Sequence, residues 1–100
     1  MTLVYITCKD EEEAEKISMR LLKKRLIACA NMFPIKSMYR WKGKIENQKE
    51  TVILAKTLEK KFSKIKKEVS SLHSYKIPCI LKIDAAANES YDDWVKESVK

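Results

Sequence analysis

The chain contains few residues that could carry covalent or metal chemistry, and they are widely separated in the sequence. Among its 100 residues there is one histidine, His73, and there are three cysteines, Cys8, Cys29 and Cys79. An odd number of cysteines without Cys-x-x-Cys spacing fits neither a disulfide framework nor a structural zinc site. A single imidazole without partner ligands forms only a weak and unselective metal site. His73 therefore has two interpretations: a weak metal ligand, or a helix-end residue that hydrogen-bonds a backbone carbonyl or a tyrosine hydroxyl.

Four further residues could line a binding cleft for a small ligand. They are Tyr39 and Trp41, which share a predicted strand, Lys56, which ends the next strand, and Tyr75, which closely follows His73. Clefts with apolar walls and a few polar groups are the usual ligand sites of proteins. A desolvated lysine and a histidine facing one cleft between subunits would favour an anion such as a carboxylate or phosphate. The alternative is that the aromatic side chains pack in the core or between subunits while Lys56 faces solvent.

The patterns that accompany catalysis are missing from the sequence. There is no Ser-His-Asp order, no pair of carboxylates placed for acid–base chemistry, and no glycine-rich loop that could hold a phosphate. Gly43 is the only glycine, and it sits where a two-residue hairpin turn needs positive φ. An acylphosphatase-like enzyme would need a glycine-rich anion loop with an arginine near the first strand, and residues 7–10 supply neither. The sequence thus predicts a binding or signalling module and not an enzyme.

Positive charge is concentrated in the middle of the chain. The sequence has 21 Lys and Arg against 14 Asp and Glu, a net charge of +7, and residues 36–67 hold eleven of the cations and three of the acids. Such a segment could attract nucleic acid, although a solvated lysine-rich surface has the same composition. An RNA-recognition motif would also carry an aromatic, glycine-containing signature on a central strand, and this signature is lacking. A nucleic-acid-binding domain remains the alternative to a small-ligand module, but no nucleic-acid partner is predicted.

The beginning of the chain does not resemble a secretory signal, because residues 1–7 lead directly into the acidic residues 10–13. No apolar run approaches the roughly 20 residues that are needed to span a bilayer. Together with the unpaired cysteines, these features predict a reducing, cytoplasmic location and no membrane partner.

Hydrophobic periodicity predicts seven elements in one domain over residues 1–100. Runs rich in β-branched and aromatic residues indicate strands, and apolar residues at three- and four-residue steps indicate helices. In chain order the prediction is a strand over 2–7, a helix from Asp10 to the basic residues 23–25, strands over Cys29–Trp41 and Lys44–Thr57, a helix over 59–72, a strand over 78–85, and a final helix.

Particular residues mark the boundaries of these elements. Asp10 with Glu13 three residues later resembles a capping box, which predicts the start of the first helix. Pro34 within a predicted strand indicates either a bulge or the edge of a sheet. Ser90 with Asp93 predicts the cap of the last helix by the same spacing as the first.

The order β-α-β-β-α-β-α predicts the fold class. Two split βαβ units with right-handed crossovers give an antiparallel four-stranded sheet with helices on one face. The prediction is an α+β, ferredoxin-like βαββαβ sandwich with a long hairpin between its second and third strands and an extra C-terminal helix.

The two strands of the hairpin are about twice as long as the other two strands. Arms of about fourteen residues extend roughly 45 Å, at about 3.3 Å per residue, and the shorter strands can cover only half of that length. The overhang includes Met38, Tyr39 and Trp41, and an isolated two-stranded ribbon is only marginally stable in water. A neighbouring subunit would cover it. Because the hairpin tip differs from the surface that receives it, such contacts close into a small ring.

Several segments of the chain resemble those of the CutA family, whose members are linked to divalent-cation tolerance. The most specific segment is SMYRWKGKIE at residues 37–46; the others are LIACAN at 26–31, Lys56 with Thr57, HSYKIP at 73–78, and Tyr91 with Trp94. The resemblance covers essentially the whole chain. It implies a ferredoxin-like subunit, a very stable homotrimer similar in shape to the PII signalling proteins, an association with copper or another divalent metal, and no defined catalysis.

The resemblance also implies where copper would bind. The ligands proposed for the family are a cysteine at the end of the first strand and two adjacent histidines before a Tyr-x-x-Pro segment. The corresponding residues here are Ile6, Leu72 and His73, so that only His73 matches. Cys8 lies two residues beyond the expected cysteine. The resemblance thus implies weak copper binding that depends on His73.

Overall fold

Four antiparallel strands form a single sheet in the computed structural model, which describes residues 1–100. In chain order the elements are β1 (Thr2–Cys8), α1 (Glu11–Lys23), β2 (Cys29–Trp41), β3 (Lys44–Thr57), α2 (Phe62–Leu72), β4 (Ile80–Asp84) and α3 (Glu89–Ser98). The strand order across the sheet is β2-β3-β1-β4, and each neighbouring pair is antiparallel. This confirms the predicted α+β, ferredoxin-like fold with its extra C-terminal helix. None of the three helices is both long and apolar enough to cross a bilayer.

The hydrophobic core lies between one face of the sheet and the helices α1 and α2. Successive side chains of a strand point to opposite faces, so alternate residues of β1 are buried on the same side. The core cluster consists of Val4, Ile6 and Cys8 of β1, Ala14, Ile17 and Leu21 of α1, Leu26 and Ile27 of the following loop, Ile53 and Ala55 of β3, and Ile65 and Val69 of α2. Burial of each isoleucine or leucine side chain contributes roughly 1.5–3 kcal/mol, which holds both helices on the sheet.

Helix α1 begins with the cap that the sequence predicts. Asp10 has an extended backbone, and its Oδ1 accepts a hydrogen bond of 2.9 Å from the backbone N–H of Glu13. The Glu13 carboxylate reaches back in turn, and its Oε1 accepts a hydrogen bond of 3.0 Å from the backbone N–H of Lys9. These side chains satisfy N–H groups that have no partner within the helix.

Local boundaries differ from the prediction in three places. Residues Glu59–Lys61 form a 3₁₀ turn before α2, and β4 is shorter than the predicted 78–85. Ser90 does not cap α3, because the helix begins at Glu89 and Asn88 occupies the cap position. The Asn88 side-chain amide donates to Ser90 Oγ, which lies inside the first turn. The cap predicted at Ser90 is therefore wrong by two residues.

Pro34 lies on an edge strand and causes no bulge. β2 is the outermost strand, and its pairing with β3 runs without interruption from Cys29 opposite Lys56 to Trp41 opposite Lys44. An edge strand tolerates proline because the missing N–H is not needed for a second ladder. Of the two interpretations of Pro34, the edge is confirmed.

The hairpin of β2 and β3 extends well beyond the rest of the sheet. The pairing of β1 with β3 ends at Cys8 opposite Thr51. Residues 35–50 therefore form a two-stranded ribbon, called the hairpin extension below. At its turn, Lys42 and Gly43 have φ values of 50° and 77°, in the left-handed region that a two-residue hairpin turn requires. The overhang predicted from the strand lengths is confirmed.

The face of the sheet opposite the core, called the outer face below, is apolar and is exposed along β4. Leu3 and Tyr5 alternate with the buried residues of β1, so they point to this face, where they pair with Ile83 and Leu81 of β4. Leu81 is 51% exposed and Ile83 is 43% exposed. An apolar surface of this kind marks a site of interaction with another molecule or subunit.

Candidate functional site

A cavity of about 560 Å³ lies between the hairpin extension and the segment that follows α2. The strands contribute a row of polar side chains and a pair of aromatic ones. The segment after α2 contributes Tyr75, Lys76 and Cys79. Burial raises the pKa of the Cys79 thiol, so that this group is protonated at neutral pH.

The strand residues of the cavity share a face because of strand periodicity and hairpin register. Glu46, Gln48 and Glu50 follow one another at two-residue steps along β3 and therefore point the same way. Tyr39 is paired directly with Glu46, and Trp41 lies two residues beyond it on β2. The Tyr39 hydroxyl donates to Gln48 Oε1 at 2.9 Å. An acid–amide–acid row thus faces two aromatic side chains across the ribbon.

Glu50 is a buried carboxylate in the wall of this cavity. It is only 8% exposed, and no lysine or arginine forms an ion pair with it. Its one hydrogen-bond partner is the Tyr75 hydroxyl, which donates to Oε2. Burial and the nearby Glu50 carboxylate raise the pKa of Tyr75 well above its ordinary value, so the phenol keeps its proton. The charge of Glu50 is therefore solvated by a hydroxyl but not neutralised.

The structure brings together three of the four residues that were predicted to line a cleft. Tyr39, Trp41 and Tyr75 all line the cavity. Lys56 does not, because it pairs with Cys29 at the far end of β3, where its Nζ lies 3.9 Å from Cys29 Sγ. Lys56 lies six residue steps along β3 from Glu50, which corresponds to about 20 Å.

The expectation of an anionic ligand is not supported by this arrangement. It required Lys56 and His73 in one cleft, but Lys56 is remote and the His73 side chain is fully buried outside the cavity wall. The charged groups that do line the cavity are two glutamates and Lys76. The glutamates were missed because charged residues of an overhanging strand suggest a solvent-facing edge. The glutamates could have been predicted from the two-residue turn, because the turn sets the register of the hairpin and so places Glu46 opposite Tyr39.

A second cluster contains the only histidine. Cys8 at the end of β1, Glu13 in the first turn of α1 and His73 directly after α2 place one ligand atom each within 4.8 Å of one another. Thiol, imidazole and carboxylate are together the donors of zinc and copper sites. Distance alone therefore makes this cluster a candidate metal site.

The hydrogen bonds of the cluster leave no free donor set for a metal ion. Glu13 Oε1 accepts from Lys9, and Oε2 accepts from the backbone N–H of Ser74 at 2.9 Å. His73 Nδ1 accepts from the backbone N–H of Tyr75 at 3.0 Å.

The remaining donors of the cluster are also occupied or protonated. His73 Nε2 lies 2.7 Å from the carbonyl oxygen of Thr7, which can only accept, so that Nε2 carries the proton. Burial, with the charge of Glu13 next in importance, raises the pKa of Cys8 to about 12. The residues in this arrangement do not fit a metal ion, and His73 joins the end of β1 to the segment after α2.

Comparison with known proteins gives the family. The model of the CutA1 divalent ion tolerance protein matches residues 2–98. The chain belongs to the CutA1 family. The resemblance predicted from SMYRWKGKIE and the other segments is confirmed.

Individual CutA proteins match over their whole length. The divalent-cation tolerance protein CutA of Archaeoglobus fulgidus is 45% identical over 98 residues, which cover 97% of this chain and 96% of that protein. The solved structure of CutA from the same organism has a TM-score of 0.97 at 44% identity and full coverage of both chains. The PII-like protein CutA from Nostoc has a TM-score of 0.92 at 26% identity, covering 100% of this chain and 98% of that one. The CutA1 fold is thus shared across these relatives.

The cytoplasmic location predicted from the sequence is contradicted by one of these relatives. The CutA of Archaeoglobus fulgidus with the solved structure is described as a periplasmic protein. The prediction relied on free cysteines, but a CutA1 domain whose stability comes from a packed core needs no disulfide in either compartment. The cysteine pattern therefore does not determine the location.

Proposed function

We propose that this CutA1-family protein is a homotrimeric, PII-like binding module that holds a small ligand in the cavity beside the hairpin extension. In this proposal it acts by binding and has no catalytic centre. The observation that carries the proposal is the position of the cavity, which is walled by a ribbon that itself needs a neighbouring subunit. The matches to divalent-cation tolerance proteins and to a PII-like protein favour this function over nucleic-acid binding.

The hairpin extension supports the assembly. Residues 35–50 pair only with each other, so both edges of this ribbon carry unpaired backbone groups. Met38 is 70% exposed and Ile45 is 60% exposed on the same ribbon. Ribbons of this kind are marginal in water and prone to aggregation unless another chain covers them.

The outer face supports the same assembly. Its apolar residues lie on the sheet side that neither α1 nor α2 covers. Since the hairpin extension and the outer face are different surfaces, their contact is head-to-tail, and such a contact either closes into a ring or continues as a filament. Three subunits are the number that the family resemblance implies. In such a ring the cavity lies close to a boundary between subunits, which is a common place for ligand sites.

The first prediction concerns the mass of the particle. Sedimentation at micromolar concentration is expected to give three times 11.7 kDa, about 35 kDa, for the wild-type protein. Leu81→Glu places a charge on the outer face and is expected to shift most of the protein to smaller species. Met19→Glu is the matched control, because Met19 is similarly exposed, at 54%, but lies on α1. A wild-type monomer, or equal sedimentation of both variants, would contradict the proposed assembly.

The proposal assigns only weak copper binding to the cluster of Cys8, Glu13 and His73. Entry of an ion between Cys8, Glu13 and His73 must displace the hydrogen bonds described above and remove a proton from Cys8. Metal affinity falls when the ligand must first lose a proton. In this proposal the protein therefore binds copper weakly. Of the three copper ligands that the family resemblance assigns, only His73 is present, and it is the contact to the ion.

The second prediction is measured by titration of Cu²⁺ into the wild-type protein, Cys8→Ala and His73→Ala. We expect wild-type affinity no tighter than that of a free imidazole and no change in Cys8→Ala. Loss of the residual binding in a folded His73→Ala would support His73 as the contact. Tight binding of one ion per chain that disappears in both variants would show that the cluster rearranges around a metal, against the proposal.

A further inference from the structure

The cavity beside the hairpin extension combines negative charge with aromatic surface. Two of its charged groups, Glu46 and Glu50, belong to the same row on β3. Lys76, the one cation in the wall, is exposed and forms no ion pair with either glutamate. The wall therefore carries an excess of one negative charge at neutral pH.

Glu50 is the residue of the cavity wall that favours a cation as the ligand. A buried carboxylate is costly unless a positive charge or several hydrogen bonds compensate it. Glu50 has the single hydrogen bond to Tyr75, and its Oε1 accepts none. This Oε1 is not sealed off from the cavity, so a cation bound there would compensate the charge of the carboxylate.

The aromatic side chains of the cavity limit the kind of cation. Tyr39 and Trp41 are 39% and 40% exposed, and neither stacks on another ring. The faces of such rings attract cations, most strongly that of tryptophan, and recognition of alkylammonium groups is their best-known use. A bare metal ion fits poorly, because Glu46 and Glu50 belong to no group of three metal-ligating side chains with ligand atoms within 4.8 Å.

We infer that this cavity binds an organic ammonium cation, with Glu50 and Glu46 facing its charge and the rings of Tyr39 and Trp41 facing its alkyl groups. The inference names the ligand class of the proposed binding module and rests on that proposal. A cavity of about 560 Å³ has room for an alkylammonium ion with a further substituent.

The test is an NMR titration of the wild-type protein with choline and with its uncharged carbon isostere, 3,3-dimethylbutan-1-ol. Choline is expected to shift the Trp41 indole N–H and the backbone N–H signals of Glu50 and Tyr75 in a saturable way. The isostere and the anion acetate are expected to bind at least about tenfold more weakly, because neither carries the positive charge that the carboxylates and the faces of the aromatic rings attract.

Two variants test whether the preference for a cation depends on the charge of Glu50. Glu50→Gln keeps the shape and an acceptor for Tyr75 but removes the charge, and it is expected to weaken choline binding at least about tenfold. Glu59→Gln is the matched control, since the Glu59 carboxylate lies outside the cavity and pairs with Lys82. It is expected to leave choline binding unchanged.

Three other outcomes would contradict the inference, and they distinguish its failure from the failure of the proposed function. Equal binding of choline and its isostere would leave a binding module but remove the preference for ammonium. A wild-type trimer that binds none of the probes while Glu50→Gln dissociates would show that a neighbouring subunit neutralises the carboxylate. A wild-type monomer would instead contradict the proposed function, whatever the ligand.

Discussion

Replacing Glu13 with alanine is expected to lower the free energy of unfolding by about 2–6 kcal/mol. Glu13 is 8% exposed, and its two carboxylate oxygens accept hydrogen bonds from the backbone N–H groups of Lys9 and Ser74. Each such group costs about 1–3 kcal/mol when it is left without a partner. One side chain thus joins the start of α1 to the segment after α2, which lie far apart in sequence.

Chemical denaturation of the variants measures this effect. Glu12→Ala is the matched control, because Glu12 occupies the same helical turn, is exposed, and makes no side-chain hydrogen bond. Its change in unfolding free energy is expected to stay within about 0.5 kcal/mol. Equal midpoints for Glu12→Ala and Glu13→Ala would show that the carboxylate contributes no net stability.

The same carboxylate is expected to make stability depend on pH. Burial raises the pKa of Glu13, but hydrogen bonds from Ser74 and Lys9 and the nearby His73 lower it by more, so the net shift is below the ordinary value of 4.5. A carboxyl with a lowered pKa in the folded state stabilises the protein above pH 4.5 and loses this contribution as the pH falls through the folded-state pKa. This acid-dependent loss is expected to be smaller in Glu13→Gln, and an unchanged profile would contradict the assignment to Glu13.

Shortening the hairpin is expected to abolish the proposed trimer at micromolar concentration. Removal of residues 38–47, with Ser37 joined to Gln48 through Asn-Gly, deletes whole cross-strand pairs and keeps the register of the remaining ladder. None of the core cluster lies in the deleted segment, so the subunit fold itself should be retained. The exposed outer face of the resulting monomer is expected to lower solubility and the thermal midpoint.

The control for this deletion changes the turn without changing its length. Lys42→Asn keeps the hairpin intact and replaces a lysine at positive φ by a residue that tolerates this conformation better. Sedimentation and circular dichroism are expected to show a folded trimer for Lys42→Asn and folded monomers for the shortened chain. A shortened chain that still sediments as a trimer with an unchanged thermal midpoint would contradict the role of the hairpin extension.

Local patterns were sufficient to predict the sheet. The hairpin strands were predicted to the residue, because a two-residue turn at Gly43 fixes both the loop and the pairing. Their excess length then followed from counting residues. The start of α3 was not predictable to the residue, because Asn88 and Ser90 are both favourable cap residues and both lie at the start of the helical pattern.

The sites depended on contacts that the local sequence does not contain. Tyr39 and Trp41 share a predicted strand face, so their convergence could be expected. The group of Cys8, Glu13 and His73 forms only because two crossovers return the end of α2 to the end of β1. Lys56 was predicted to line the same cleft as His73, but it lies at the far end of β3, at the other end of the sheet from the cavity. The sequence does not show that Glu50 is buried in the cavity wall, so its role could not be predicted.

The long hairpin also sets an order of events for folding and assembly. Trp41 and Lys44 pair across two residues, and each further pair adds only two residues to the loop, so the ribbon can zip up within one chain at a rate independent of concentration. In the proposed trimer, covering the edges of the ribbon requires an encounter between chains and becomes slower on dilution. Between these two steps a newly made subunit exposes unpaired strand edges, which are prone to pair incorrectly with other chains and to aggregate. In the cell, the rate of synthesis would therefore govern the yield of correct rings as much as the final stability does.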